Sequence, residues 1–189
     1  MSSHHFVREE QATALYIKGR HIDESILMQL LEWNPTIIAH DSVLEWIYSL
    51  NIKIDILVSV GLESNYIPYD FIQWESADDA QILQKIKKEV KAARVIIAGD
   101  DDTNSMHQLM LQFPEHNYAL YENNTKHFVL KKDATFKKWV NKDFEFAIGK
   151  IDKAIVEGNV KSSGTNYVAL EDGIITIHSL SNLIISESL

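Results

Sequence analysis

Past its midpoint this chain changes the spacing of its apolar residues, and that change constrains the fold more than any other feature. Up to residue 113, short apolar runs alternate with stretches of helical period. Ala14-Leu15-Tyr16-Ile17 precedes Ile26, Leu27, Leu30 and Leu31, and Thr36-Ile37-Ile38-Ala39 precedes Val43, Trp46, Ile47 and Leu50. Ile54 to Val60 precedes Ile82, Leu83, Ile86 and Val90, and Val95-Ile96-Ile97-Ala98 precedes Met106, Leu109, Met110 and Phe113. The short runs have the length of buried strands, and the i, i+3, i+4, i+7 spacing puts its residues on one helical face. Asp23 and Asp102 or Thr103 are placed to cap two of these helices, and Ser42-Val43-Leu44-Glu45 has the form of a capping box. Residues 61–75 read as irregular.

From Tyr118 onward only strand signals remain: Tyr118 to Tyr121, Phe144, Phe146 and Ile148 in alternation, Tyr167 to Leu170, Ile174 to Ile177, and Leu183 to Ile185. Alternating strands and helices call for a parallel sheet covered on both faces, whereas strands in series call for antiparallel sheets. The expected fold is therefore α/β, a doubly wound, mostly parallel sheet followed by an antiparallel β-sandwich. The division falls at residues 1–124 and 125–189, with Glu122-Asn123-Asn124-Thr125-Lys126 as a short linker.

Composition narrows the chemistry. The 189 residues contain no cysteine, which removes disulfides, thiolate nucleophiles and sulfur-bound zinc. A net charge of −9 repels phosphate backbones, and Lys85 to Lys91 has the spacing of a solvated helix face, so nucleic acid is not an expected partner. No apolar run approaches the length of a membrane span and Met1 to Glu10 holds no apolar signal core, so the expected location is cytoplasmic, away from membranes. Neither a Gly-rich phosphate loop nor a G-x-S-x-G elbow occurs, and no pair of histidines has zinc-ligand spacing on a helix.

In an open α/β sheet, ligands bind at the carboxyl ends of the strands. Acids stand at three such ends here: Asp41, Glu63, and the run Asp100-Asp101-Asp102. Converging carboxylates suit Mg²⁺. The same residues also suit blander roles, Asp41 at a helix start and Asp100 to Asp102 as a turn with one cap.

The order of elements and several segments resemble the thiamine pyrophosphokinase family, in a bacterial branch. The segments are Ser2-Ser3-His4-His5, Leu30-Leu31-Glu32-Trp33-Asn34-Pro35, Ile52 to Leu57, Gly164-Thr165-Asn166, and Glu171-Asp172-Gly173-Ile174-Ile175-Thr176-Ile177. The resemblance covers nearly the whole chain, with a deletion around residues 152–163. It implies diphosphate transfer from ATP to thiamine with Mg²⁺, in a homodimer. The functional motifs depart from the family. A D-G-A-like turn becomes His40-Asp41-Ser42-Val43, G-D-F-D becomes Ser59-Val60-Gly61-Leu62, K-T-D keeps only the acid of Ala77-Asp78, and D-H-T becomes Thr103-Asn104-Ser105. Carried over residue by residue, the resemblance implies Asp41 and Asp78 as catalytic and Ser163 and Asn166 as substrate-binding residues; Asp100 and Asp101, in the acidic run after a strand, are the expected metal-binding residues from their position alone. Phosphoryl transfer depends on metal-assisted charge stabilisation, so these losses remove its main device. The leading expectation is a pseudoenzyme of this kinase fold that binds thiamine or its phosphates. The alternatives are an active kinase (a transferase needing ATP and Mg²⁺ held by relocated acids) and a non-catalytic interaction or regulatory protein.

Overall fold

The computed structural model describes residues 12–59, 71–76, 78–100, 102–149 and 151–189. The chain forms two compact units, Met1–Asp101 and Asp102–Leu189. The first contains β1 (Thr13–Ile17), α1 (Glu24–Leu31), β2 (Thr36–His40), α2 (Leu44–Ser49), β3 (Ile56–Ser59), β4 (Ile72–Glu75), α3 (Asp79–Lys85) and β5 (Arg94–Ala98). Its five strands are parallel in the order β5-β1-β2-β3-β4, with Ile17 opposite both Ala39 and Ala98. The central strands read as unbroken apolar runs because both faces are covered: Ala14 to Ile17 are fully buried and Val95 to Ala98 nearly so.

Helix boundaries follow local chemistry. The Asp23 carboxylate accepts from the Ser25 amide at 2.7 Å and starts α1, and Asp78 accepts from the Ala80 amide at 2.9 Å and starts α3. A π-helical turn, Ile86–Val90, continues α3 until Lys91 turns left-handed at φ 55°. Two expectations are corrected. The capping box at Ser42 does not form, because a 3-10 turn, Asp41–Val43, precedes α2 and His40 Nδ1 caps it by accepting from the Ser42 amide. Part of the stretch expected to be irregular is β4, which pairs with β3 at the sheet edge; Ile72 is exposed there, so the strand lacks the apolar run that marks its buried neighbours.

The second unit begins with α4 (Thr103–Gln112), capped by Asp102, whose carboxylate accepts from the Ser105 amide at 3.1 Å. Nine strands follow: β6 (Tyr118–Glu122), β7 (Thr125–Leu130), β8 (Thr135–Val140), β9 (Glu145–Ile148), β10 (Ala154–Glu157), β11 (Val160–Ser163), β12 (Asn166–Ala169), β13 (Gly173–Ser179) and β14 (Leu183–Ser188). They pair antiparallel in the orders β11-β12-β9-β14-β7-β6 and β10-β13-β8. The supposed linker at 122–126 is a hairpin turn instead, with Asn123 at φ 48° joining β6 to β7. Both sheets contribute to one core, which includes Leu130, Val140, Phe146, Ile148, Tyr167, Ile175, Ile177 and Ile185.

At one end of that core Glu187 is buried and takes both Lys126 Nζ at 2.9 Å and Lys138 Nζ at 2.7 Å. Burial alone would raise its ionisation, but hydrogen bonds from the two ammonium groups hold it below the usual carboxylate range. Lys138 also stands over the Phe144 ring at 4.5 Å, so the charge cluster ties β7, β14 and β8 together. Among the described residues no helix is long and apolar enough to cross a membrane.

On its other face the larger sheet meets α4, where His107 and His127 lie with ring centroids 4.7 Å apart. His127 Nδ1 bonds Ser186 Oγ at 2.8 Å. Burial, and then the neighbouring His107, push His127 down to about 4, and burial lowers His107 despite the nearby Glu122 carboxylate. A depressed folded value means that the unfolded chain takes up the proton first. Stability from His127 is therefore complete above about pH 6.5 and is lost as pH falls toward 4, by about 3 kcal/mol from the difference between those values. Urea unfolding at intervals across that window is expected to show the fall, and His127→Asn is expected to flatten it; an unchanged slope in the variant refutes the assignment.

Candidate functional site

The parallel sheet reverses its winding at β1. From there the chain adds β2, β3 and β4 on one side, then returns to place β5 on the other. A crevice opens at such a switch point, beyond the carboxyl ends of the two strands, and it is the usual ligand position in open α/β sheets. The ends of β1 and β5 are bound tightly together: the Lys18 amide donates to the Ala98 carbonyl at 2.9 Å. Gly99, at φ +73°, passes so close that a Cβ on it would lie 2.2 Å from the Gly19 carbonyl oxygen. That approach sets Lys18 beside Asp100. Gly99→Ala is expected to destabilise the protein by about 3 kcal/mol or more, since it combines a left-handed backbone with a backbone clash; denaturant unfolding measures it, and a loss under about 1 kcal/mol argues against the packing described.

Lys18 Nζ lies 2.6 Å from Asp79 Oδ2 and 2.9 Å from Asp100 Oδ1. The Asp100 side chain is 1% exposed, whereas Lys18 and Asp79 are about one-quarter exposed. Desolvation pulls the Lys18 ammonium down, but the hydrogen bonds it donates to Asp79 and Asp100 more than offset it, so it stays charged above its ordinary range. Beneath the triad the Tyr16 hydroxyl is buried with no partner at ordinary hydrogen-bond geometry. Burial first, and then the Asp79 and Asp100 carboxylates, push its ionisation far above the phenol range, leaving a protonated donor under the site. Asp41 is close enough to add to the same effect.

The expected site residues distribute unevenly. Asp100 joins the triad. Asp41 begins the turn after β2, with His40 Nδ1 at 3.1 Å, and lines a cleft of about 350 Å³ with Arg20, Ser42, Leu44 and Glu45. Asp78 caps α3, while its neighbour Asp79 enters the triad. Asp101, Glu63 and the Gly61-Leu62 segment lie outside the described residues. Lys18, Asp79 and Tyr16 were not identified from the sequence; the available signal was a lysine directly after a wholly apolar run and before a glycine.

The residues of the triad do not fit a divalent ion. Mg²⁺ draws on carboxylate oxygens at about 2.1 Å in an octahedron, and here an ammonium group already takes oxygens of both carboxylates. Among the described residues no group of three or more potential ligands is arranged to hold a metal. Lys18→Met is expected to cost about 3 kcal/mol, the low end for breaking a buried pair because two members are partly exposed. Pairing it with Asp100→Asn in a double-mutant cycle is expected to recover more than about 1 kcal/mol; additive losses mean the two side chains are not coupled.

The second unit carries its own cleft, of about 390 Å³, on the sheet face away from the shared core. Asn166, Glu145, Ser186, Ser188 and Thr125 supply its polar groups, and Ala147 and Val168 supply apolar contact. These residues share a face because neighbours such as Phe146, Tyr167 and Ile185 point into the core. Ser163 is exposed opposite Asn166 in the β11–β12 hairpin and is not among the cleft's lining residues. A smaller cavity of about 200 Å³ adjoins it through Ala147 and Ser186, with His107 and Leu111 of α4 on its wall.

No protein-family model and no curated protein matches the sequence. Solved structures do match. The thiamin pyrophosphokinase of Geobacillus thermodenitrificans superposes with a TM-score of 0.67 over 94% of this chain and 97% of that one, at 12% identity. The thiamine pyrophosphokinase of Bacillus subtilis gives 0.67 over 93% and 98%, also at 12% identity. The thiamin pyrophosphokinase of Candida albicans gives 0.58 over 94% and 90%, at 11% identity. The chain has the fold of these enzymes, as the sequence resemblance implied; at such identities the likeness is one of fold, and function rests on the site.

Proposed function

We propose that this chain is a small-molecule-binding protein on the thiamine pyrophosphokinase fold, a pseudoenzyme that takes thiamine or one of its phosphates without transferring diphosphate. One observation carries the loss of chemistry: Lys18 bridges Asp79 and Asp100 at the switch point. Transfer from ATP needs a divalent ion to gather the phosphates and neutralise developing charge, and a fixed ammonium with its protons committed to two carboxylates offers neither. The triad carries a net charge of −1, which repels triphosphate further.

The binding half of the reading rests on the cleft around Asn166. Its volume falls within the range of small-ligand sites, and its mix of amide, hydroxyls and one carboxylate suits a compact cationic heterocycle. Asn166 stands at the start of β12, opposite Ala147 of β9, and its side chain is exposed to the cleft.

Thermal unfolding with thiamine, thiamine diphosphate and Mg-ATP added separately tests both halves. A ligand at 100 times its dissociation constant adds about 2.7 kcal/mol, a rise of roughly 5–10 °C for a chain of this size. The expected result is a rise with a thiamine species, none with Mg-ATP, and loss of the rise in Asn166→Ala. A rise with Mg-ATP accompanied by AMP formation from thiamine and ATP would establish an active kinase with relocated acids. No rise with any of the three overturns the binding reading.

A further inference from the structure

The cavity of about 200 Å³ between α4 and the larger sheet lies wholly within the second unit. Leu111 of α4 forms one wall, with His107 one helical turn before it, and Ala147 of β9 and Ile184 of β14 form the other. Gly149 and Thr165, both exposed, stand at its mouth. No side chain that lines it carries a fixed charge, and burial lowers His107, so that ring is neutral at neutral pH. The neighbouring cleft differs in this respect, because its lining includes the Glu145 carboxylate.

Most hydrogen-bonding groups around the cavity are already engaged. The Gly149 amide donates to the Ile184 carbonyl and the Ile148 amide to the Thr165 carbonyl, each at 2.9 Å. Ser186 Oγ is held by His127 Nδ1 at 2.8 Å. His107 Nε2, by contrast, is buried and has no hydrogen-bond partner among the described residues. A buried nitrogen left unmet is costly, and a native structure that keeps one calls for an explanation.

We propose that this cavity is a binding site, separate from the cleft around Asn166, for a compact uncharged ring that bears one hydroxyl group. Such a molecule has the size and chemistry of a phenol. Its ring lies against Leu111, Ala147 and Ile184, and its hydroxyl meets His107 Nε2 after a small turn of the imidazole within its broad χ2 well. A hydroxyl both donates and accepts, so it satisfies that nitrogen in either tautomer. An apolar cavity of about 150 Å³ is enough to admit benzene, so the space here suits one such ring. A charged ligand would enter with no counter-ion on the walls. Glycine keeps the mouth open: a Cβ at Gly149 would already rest 3.7 Å from the Ile184 Cβ, and a longer side chain would run along the cavity wall.

Titration of the full chain with para-cresol, followed by amide NMR shifts, tests the proposal. A dissociation constant on the order of 1 mM or tighter is expected for a ligand of about eight non-hydrogen atoms, with the largest shifts at Leu111, Gly149 and Ile184. Toluene, the same ring without the hydroxyl, is expected to bind at least about fivefold more weakly, and benzoate and benzylammonium at least about tenfold. Gly149→Leu is expected to weaken para-cresol about tenfold or more, and Leu111→Trp fills the cavity from the helix side as a second block; an unfolding midpoint close to the parent's shows that each variant folds. His107→Phe keeps a ring and removes the nitrogen, and it is expected to bring para-cresol and toluene to within about twofold of each other. Thiamine plays no part in the titration, so this proposal and the reading of the cleft fail separately. Absence of saturable shifts at about 10 mM, shifts centred on Asn166, benzoate binding as tightly as para-cresol, or a preference for para-cresol that survives His107→Phe overturns the proposal.

Discussion

A carboxylate just beyond the buried end of a strand has to carry its counter-ion with it. Asp100 follows four apolar residues of β5 and is almost completely inaccessible. An isolated charge there would be neutralised by protonation or would unfold its surroundings. The ammonium of Lys18 meets that need, and much of the first unit is arranged around its delivery. β1 and β5 must end level with one another, which the Gly99–Gly19 approach enforces. Helix α3 must begin where its first residue, Asp79, reaches the same nitrogen, which the cap at Asp78 fixes. One electrostatic requirement thus sets the positions of two strand ends and a helix start.

The same requirement bears on function. The fold is that of solved thiamine pyrophosphokinases, but a fold does not supply a reaction. What the ends of β1 and β5 present is one ammonium held between two carboxylates over a protonated phenol. The other unit, by contrast, carries a cleft lined by hydroxyl and amide groups.

Most of the fold was legible in spacing alone. The strands of the first sheet and the helices behind Asp23 and Asp102 follow from apolar period and capping, because both are local properties of the chain. What spacing could not give was pairing. Ile72 to Glu75 lies at an edge and carries no buried run, so its strand character comes from β3 beside it. The Asn123 turn has the composition of a linker, and only the pairing of β6 with β7 makes it a hairpin. Nor does the period of α4 tell which sheet it will cover. Asp100 was legible as a site candidate by its place after a strand, but Lys18 and Asp79 were not, since they lie 82 and 21 residues away along the chain and meet it only through the winding of the sheet.

Strand β14 has a consequence of a different kind. Ser186 faces the cleft and the next residue, Glu187, faces the core, where two lysines hold it. Because successive residues of a strand alternate sides, the two environments are read out of phase by a single residue. A slip of β14 by one position would bring a carboxylate to the cleft floor and drive a serine between the lysines, leaving both sides wrong at once. The ion cluster therefore acts as a detent on the strand's register. It indexes the cleft from behind, so that the spacing of the groups lining the cleft is set by electrostatics on the opposite side of the sheet.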